Sequence, residues 1–270
     1  MPDLLHRATA LLYQCDPAQK AAQTQALGAA WHDGNLSLSQ DGEHPTPPDV
    51  PGRSPELVLV APGAVPRRRI STPAGRIALL HAIAHIELNA IDLALDMLVR
   101  FAFDPLLADQ DHTEFATQWL DVAVDEARHF TMIAARLNVL GSHYGAFPAH
   151  QGLWEAAQST SGDLAARLAI APMLLEARGL DVTPGMIEKL IGTGDTKSAD
   201  VLKIIYQEEI GHVAKGVHWF KIVCAATKDD PQAQFGKLVQ QYLPAGLRPP
   251  FNHEARSQAG LLRAFYENHT

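Results

Sequence analysis

The sequence predicts an all-α protein built around an antiparallel four-helix bundle. Four long segments of the 270-residue chain repeat apolar residues every three or four positions, which is the period of a helix that packs on one face. Capping residues and prolines mark where several of these segments begin, and the alternating patterns typical of β-strands are nearly absent. At 47% hydrophobic and 19% charged residues, the chain has enough apolar material for a sizeable core.

The residues before the bundle, 1–72, are predicted to pack on it as two different parts. Residues 3–32 have the patterns of one or two short amphipathic helices broken at Pro17. Residues 34–73 hold eight of the eighteen prolines, which excludes a regular helix. We expect an extended strap across the surface, and a flexible linker is the competing interpretation. The basic run Arg67–Arg69 in this segment indicates a local anchor or a solvated face.

The first two bundle helices have clear boundaries. Helix 1 is predicted to begin with Thr72 as its cap and Pro73 in its first turn, and to end near Phe103 before the "DP" dipeptide. Helix 2 is predicted over residues 113–140, where Gly141 ends it.

The second helix pair is less regular. Helix 3 is predicted to start near Asp163 and to be kinked by Pro172. A further interruption is expected between Gly179 and Thr183, because "TPGMIEKL" carries its own capping residue and first-turn proline. Helix 4 is predicted over about residues 196–227. The bundle domain is therefore predicted to comprise residues 73–230.

The last segment, 231–270, is predicted to be a helical extension. A short helix is expected at 231–242, followed by a turn at "LRPPFNHEAR" and a closing helical stretch.

Six polar residues occupy positions on the apolar faces of the bundle helices. Each helix contributes one glutamate, and two helices add a histidine three residues later: Glu87, Glu126 with His129, Glu176, and Glu209 with His212. The order Glu, GluxxHis, Glu, GluxxHis describes two copies of one helix pair. In antiparallel hairpins these side chains reach similar heights, so all six are expected to converge at the middle of the bundle.

Burying four carboxylates together needs positive charge. Each carries a desolvation penalty of several kcal/mol, and the four repel one another. Two divalent cations would neutralise them, with both histidines neutral. Oxygen-rich ligation with two imidazoles suits iron or manganese, whereas structural zinc more often uses thiolates. A buried hydrogen-bonded network without metal is the alternative, but glutamate is rarely buried unpaired.

The ligand order resembles that of the ferritin-like di-iron carboxylate superfamily. Within it, the sequence is similar to a bacterial family described as a domain of unknown function. The matching stretches are "PGRSPEL", "GRIALLHAIAHIELNAIDLALD", "DEARHF", "YGAFPAHQGLWE", "LEARGLD", "EEIGHVAKGVHWF" and "PFNHEARSQAG". The resemblance implies a ferritin-like four-helix bundle with a dinuclear iron centre, and it implies no particular substrate. The strap and the carboxy-terminal extension exceed a minimal ferritin bundle, which argues against plain iron storage.

These expectations lead to an oxidoreductase as the first functional hypothesis. Two iron ions, or manganese in one or both positions, would be bound by the six residues, with Glu126 and Glu209 as bridges and His129 and His212 on one metal each. Dioxygen would be reduced to oxidise or hydroxylate an unidentified small molecule, with an unidentified electron donor. Tyr206, one turn before Glu209, is a candidate redox-active or substrate-facing residue, with an ordinary core tyrosine as the alternative.

Two other classes of function stay open. One is a ferroxidase or iron- or manganese-handling protein without an organic substrate, and the other is a metal-free bundle that binds partners through its surface. Partly buried, hydrogen-bonded histidines are the favoured interpretation of His81 and His85. Asp92, Asp121 and Asp125 are candidates for orienting the metal-ligating histidines, with solvated acids as the alternative. The aromatic stretch at 143–154 is expected to cover the site entrance or to cap the bundle.

Charge and cysteine content limit the partners and the cellular compartment that we expect for the protein. The net charge of −8 disfavours nucleic acid and anionic membranes as partners. Cys15 and Cys224 have no metal-binding or disulfide spacing. The amino terminus has no signal-peptide pattern, and no uncharged run reaches membrane-spanning length, so we expect a cytoplasmic protein.

Overall fold

The structure, a computed structural model, describes residues 1–40, 44–65 and 69–267 and confirms the all-α class. Within these ranges the chain forms no β-strand, only isolated bridges between Asp3 and Ser37 and between Leu59 and Ala149. The helices are α1 (Leu4–Leu12), α2 (Pro17–His32), α3 (Pro73–Phe101), α4 (His112–Val139), α5 (Gly152–Ser159), α6 (Leu164–Ile170), a π-helical turn (Ala171–Glu176), α7 (Ala177–Gly192), α8 (Thr196–Thr227), α9 (Pro231–Tyr242) and α10 (His253–Gln258). In the described part of the chain, short 3₁₀ turns lie at Pro62–Ala64, Asp109–Asp111 and Arg263–Phe265.

The chain divides into two compact units. The first unit comprises Met1–Phe103 and Asp109–Glu155, and the second comprises Asp104–Ala108 and the chain from Ala156 onward. Each unit therefore holds one of the two predicted helix pairs. The predicted divisions after residues 72 and 230 stay predictions.

The first unit is built around the pair α3 and α4. The apolar seams predicted for these helices are buried, as shown by Leu80, Ile91 and Leu98 on α3 and by Phe115 and Ile133 on α4. Helix α1 packs on α3, and α2 packs on α4. The contact of α2 with α4 is very close, since a Cβ atom at Gly28 would lie 2.4 Å from Cγ2 of Val124.

The proline-rich segment follows the first unit as an extended strap over the residues that the structure describes. Leu59 bridges to Ala149, and the indole of Trp154 donates a hydrogen bond to the carbonyl of Asp49 at 2.7 Å. These contacts favour the strap over the flexible linker. In the basic run, Arg67 and Arg68 lie outside the described residues.

The second unit is built around one long helical stretch and α8. Helix α6, the π turn and α7 follow one another without a break from Leu164 to Gly192. The kink expected at Pro172 takes the form of this π turn. It lies close to α8, because a Cβ atom at Gly216 would be 2.6 Å from Cβ of Pro172.

The interruption predicted between Gly179 and Thr183 is wrong. Helix α7 continues through Pro184, which lies inside it. A proline lacks the N–H that would bond to the carbonyl four residues earlier, here that of Leu180. The side chain of Asn252 supplies a donor to that carbonyl instead, at 3.2 Å. A distant segment therefore supplies a hydrogen bond to the carbonyl that the proline leaves, which favours continuation of the helix.

The other helix boundaries agree closely with the sequence. Thr72 accepts a hydrogen bond from the N–H of Gly75 at 3.0 Å and caps α3 as predicted. Helices α8 and α9 begin and end where the sequence placed them. Gly141, just after α4, has φ +76°, a conformation that glycine adopts without strain. Helix α5, Gly152–Ser159, was not predicted.

Helix α3 is long and apolar enough to span a membrane by length and composition, alone among the helices of the described residues. Its most apolar window is 72% buried inside the protein, which is the situation of a core helix.

Candidate metal centre

Three of the six predicted ligands come together in the first unit. His129 on α4 directs its Nδ1 atom toward Oε2 of Glu87 on α3, at 3.2 Å, and toward Oε2 of Glu126, at 3.5 Å. The potential ligand atoms of these three residues lie within 4.8 Å of one another. All three side chains are buried, and Glu126 and His129 have no exposed surface. We call this set the first half-site.

Charge dominates the first half-site. Burial lowers the pKa of His129, but the carboxylates of Glu126 and Glu87 outweigh burial and raise this pKa to about 11. Without a metal ion, His129 therefore holds a proton between two carboxylates. A divalent cation would take the place of that proton, because imidazole ligates metals in its neutral form.

The other three predicted ligands lie in the second unit, and we call them the second half-site. His212 on α8 is buried and directs Nδ1 toward Oε2 of Glu209 at 3.6 Å. The side chain of Glu209 is 13% exposed. Glu176 is partly exposed and occupies the last position of the π turn. Such turns are rare and are often found at functional sites.

The donor atoms of both half-sites fit divalent metal ions. Each offers two carboxylates and one imidazole, and in both GluxxHis pairs it is Nδ1 that faces the glutamate. Two carboxylates match the charge of one divalent ion when the imidazole is neutral. Metal binding by these six residues stays a prediction.

Comparison with known proteins places the chain in a family. The family model described as "Protein of unknown function (DUF455)" matches residues 13–267. The chain belongs to this family. It is also 42% identical over 203 residues to a protein of Haemophilus influenzae described as an uncharacterized protein. The aligned region covers 75% of this chain and 70% of the relative. No solved structure matches the chain.

In this family member, the histidines near Glu87 on α3 are structural. His85 Nδ1 lies 2.7 Å from the hydroxyl of Tyr144, and its Nε2 lies 2.9 Å from the carbonyl of His150. His81 Nε2 accepts a hydrogen bond from the N–H of Gly145 at 2.9 Å. Both are buried, as the favoured interpretation of the sequence expected. They attach the aromatic stretch at 143–154 to the amino-terminal half of α3.

The three aspartates considered as partners of the ligating histidines each contact a basic side chain. Asp92 is fully buried and accepts hydrogen bonds from Lys20, at 2.5 Å, and from Arg53. Asp121 lies 2.7 Å from His32 at the surface, and Asp125 accepts from Arg128 at 3.1 Å.

The buried ion pairs of Asp92 were missed by sequence reasoning. Lys20 is 1% exposed, and burial lowers its pKa, with Asp92 opposing that effect. Arg53 also donates to the amide oxygen of Asn89 at 2.7 Å. This cluster joins α2, the strap and α3. The partners lie 72 and 39 positions from Asp92, which no local pattern connects.

Tyr206, the candidate catalytic residue, is half-buried on α8. Its hydroxyl oxygen accepts a hydrogen bond from the side-chain amide of Asn252 at 2.9 Å. A catalytic role for Tyr206 stays a prediction.

Proposed function

We propose that this protein is a dinuclear non-haem iron oxidoreductase with a ferritin-like four-helix bundle. It would activate dioxygen to oxidise or hydroxylate a small organic molecule. One observation carries the proposal: each compact unit contains a glutamate and a GluxxHis pair on long helices, with the imidazole Nδ1 turned toward carboxylate oxygen. The bundle helices would be α3, α4, the stretch from α6 to α7, and α8.

The charges of the six residues support two metal ions. Four carboxylates and two neutral imidazoles carry a charge of −4, which two divalent ions balance. Lone carboxylates in a buried position would carry a penalty of several kcal/mol each. Iron suits this donor set, and manganese in one or both positions would suit it as well. When bound, two ferrous ions supply two electrons for the reduction of dioxygen, and an external donor restores them.

The protein side chains would have separate tasks. Glu126 and Glu209 are proposed as bridging ligands, with His129 and His212 each holding one metal ion. The complete burial of Glu126 and His129 would shield the first half-site from bulk solvent. The partial exposure of Glu209 favours the second half-site as the side that a substrate approaches.

A reducing compartment, the cytoplasm, fits the proposal. Both cysteines are free thiols, Cys15 at the surface and Cys224 in the core.

Elemental analysis tests the metal requirement directly. The purified protein would be loaded with ferrous iron under anaerobic conditions, passed over a desalting column and analysed for iron. We expect two metal ions per chain. A result below about one ion per chain would exclude both the oxidoreductase proposal and the iron-handling alternative. It would favour a metal-free bundle that binds partners.

Oligomeric size and substrate-dependent oxygen uptake separate the two metal functions. A compact monomer or dimer that consumes dioxygen only with a reductant and an organic substrate supports the oxidoreductase. A large hollow assembly that oxidises and retains many irons per chain supports storage or ferroxidase activity instead.

A further inference from the structure

The segment that follows α9 contacts both glutamate-bearing helices of the second unit. We propose that Asn252, in this segment, is a positioning residue that sets the separation of Glu176 and Glu209 and thereby the metal affinity of the second half-site. The inference rests on the proposed metal-binding function and adds a residue outside the six predicted ligands.

Asn252 connects α7 to α8 through one side-chain amide. Its Nδ2 atom donates to the carbonyl of Leu180 at 3.2 Å and to the hydroxyl of Tyr206 at 2.9 Å. Leu180 follows Glu176 by four residues, and Tyr206 precedes Glu209 by three. Each contact is therefore about one helical turn from the glutamate of that helix.

The contact with Leu180 supports the helix itself. The carbonyl of Leu180 is the one that Pro184 leaves without its usual backbone donor. Removing the amide of Asn252 would leave this carbonyl without that donor and favour a bend in α7. A bend at this point changes the direction of the turn that carries Glu176.

Asn252 is itself held firmly in place. Its N–H donates to Oδ1 of Asp181 at 2.9 Å. Arg256, one turn later, binds both carboxylate oxygens of Asp181 at 2.8 and 2.7 Å and is 2% exposed. Its guanidinium group lies over the rings of Phe251 and Tyr266, at 5.0 and 4.5 Å from their centroids.

A second anchor lies on the same side of α7. Arg178 donates to the carbonyls of Arg248 and Pro250 at 2.9 and 3.0 Å. The residues of α7 that contact this segment, Arg178, Leu180 and Asp181, all follow Glu176 by two to five positions. The segment therefore restrains the part of α7 next to the proposed ligand.

Metal affinity is sensitive to such supporting contacts. Residues outside the ligand set that orient ligands commonly change metal affinity by about 10–100-fold when mutated. A contact that holds two ligand-bearing helices in place belongs in this class. We expect the strongest effect on the metal ion held by His212, because the hydrogen bonds of Asn252 join residues of the second unit.

The decisive variant is Asn252→Asp in the full-length chain. Asn252 also caps α10, since its Oδ1 accepts from the N–H of Ala255 at 3.2 Å. Aspartate keeps this cap and the size of the side chain but loses the amide that donates to Leu180 and Tyr206. Metal-free protein would be titrated anaerobically with cobalt(II), and binding followed by visible absorption and equilibrium dialysis.

We expect the wild-type protein to bind two equivalents of cobalt(II). In Asn252→Asp, one of these two ions should bind at least about 10-fold more weakly than in wild type, and the cobalt absorption spectrum should change. Tyr206→Phe, which removes only the contact with α8, should give a smaller change in the same direction and serves if Asn252→Asp does not fold. Phe235→Leu is the stability control, because Phe235 is buried against Phe220 and Phe265 in the same unit.

The outcomes separate the inference from the proposed function. Unchanged affinities and spectra in Asn252→Asp and in Tyr206→Phe would overturn the positioning role while leaving the metal proposal in place. Equal weakening in Phe235→Leu would also overturn it, because the effect would then be one of general stability. A wild-type protein that binds no cobalt would overturn both.

Discussion

The two half-sites use the same residue types in different surroundings. In the first, Glu87, Glu126 and His129 lie on uninterrupted α-helices and are buried. In the second, Glu176 ends a π turn, Glu209 is partly exposed, and the neighbouring helix contains Pro184. The comparison teaches that a repeated ligand pattern does not require a repeated backbone. One copy lies on regular helices in the core, and the other lies at an irregular turn nearer the surface.

The largest expected difference between the half-sites concerns metal retention. Glu126→Ala removes a fully buried carboxylate and should weaken binding by more than about 100-fold, beyond the range typical of supporting residues. The variant should also unfold more easily, because the other buried acids lose their counter-charge. Glu209→Ala, at the partly exposed position, should weaken binding less.

Anaerobic iron titration and thermal unfolding of both variants check this order. Glu208→Ala, the adjacent glutamate on α8, is the matched control and should keep both metal ions. Two irons bound by Glu126→Ala with wild-type affinity would show that the ligand assignment is wrong.

The next expected effect concerns the close approach in the second unit. A Cβ atom at Gly216 would lie 2.6 Å from Cβ of Pro172, so Gly216→Ala must displace the π turn. Overpacking of this kind costs about 1–3 kcal/mol of unfolding free energy. We also expect weaker binding of one metal ion, because Glu176 belongs to the displaced turn.

Gly211→Ala provides the control on the same helix. Gly211 is exposed, and a Cβ atom there would have open space. Alanine at that position should stabilise the protein by about 0.5–1 kcal/mol in urea unfolding. If both substitutions changed stability alike, the packing of Gly216 on Pro172 would have no special importance.

The smallest expected effect concerns pH and the first unit. Burial lowers the pKa of His81 and of His85 to about 4, from the ordinary value of 6.5. Between these values the unfolded chain binds more protons than the folded protein, so stability falls as the pH drops from about 6.5 toward 4. At pH 5 the loss is up to about 2 kcal/mol per histidine.

Urea unfolding at pH 7.5 and pH 5 would measure this loss in wild type and in His85→Gln. Glutamine does not titrate, so the variant should lose less stability on acidification. The same pH dependence in both proteins would show that His85 does not contribute to the acid sensitivity.

Local signals in the sequence were sufficient for most helices and for the buried positions of several predicted ligands. Thr72, Asp195 and Asp230 accept hydrogen bonds from the first turns of α3, α8 and α9, and such caps act within three residues. The seam positions of Glu87, Glu126 and His212 follow from helical periodicity, and the structure buries all three.

What the sequence did not predict depends on contacts between distant residues. The rule that proline ends a helix failed at Pro184 because the donor to Leu180 comes from Asn252, 72 positions after that leucine. Asp92 was considered as a partner of a ligating histidine, but Lys20 and Arg53 bind it from other segments. In the stretch "PFNHEARSQAG", no local pattern connects Asn252 with Leu180 and Tyr206, which the structure brings into contact with it.

The bond from Asn252 to Leu180 also has a consequence for biosynthesis. The ribosome synthesises α7 before it synthesises Asn252, which supplies this donor. Until Asn252 is in place, the carbonyl of Leu180 lacks that hydrogen bond and is exposed to water. Final alignment of Glu176 would then follow translation of the distal segment. Under the proposed function, metal binding by the second half-site is accordingly expected to follow formation of the first half-site.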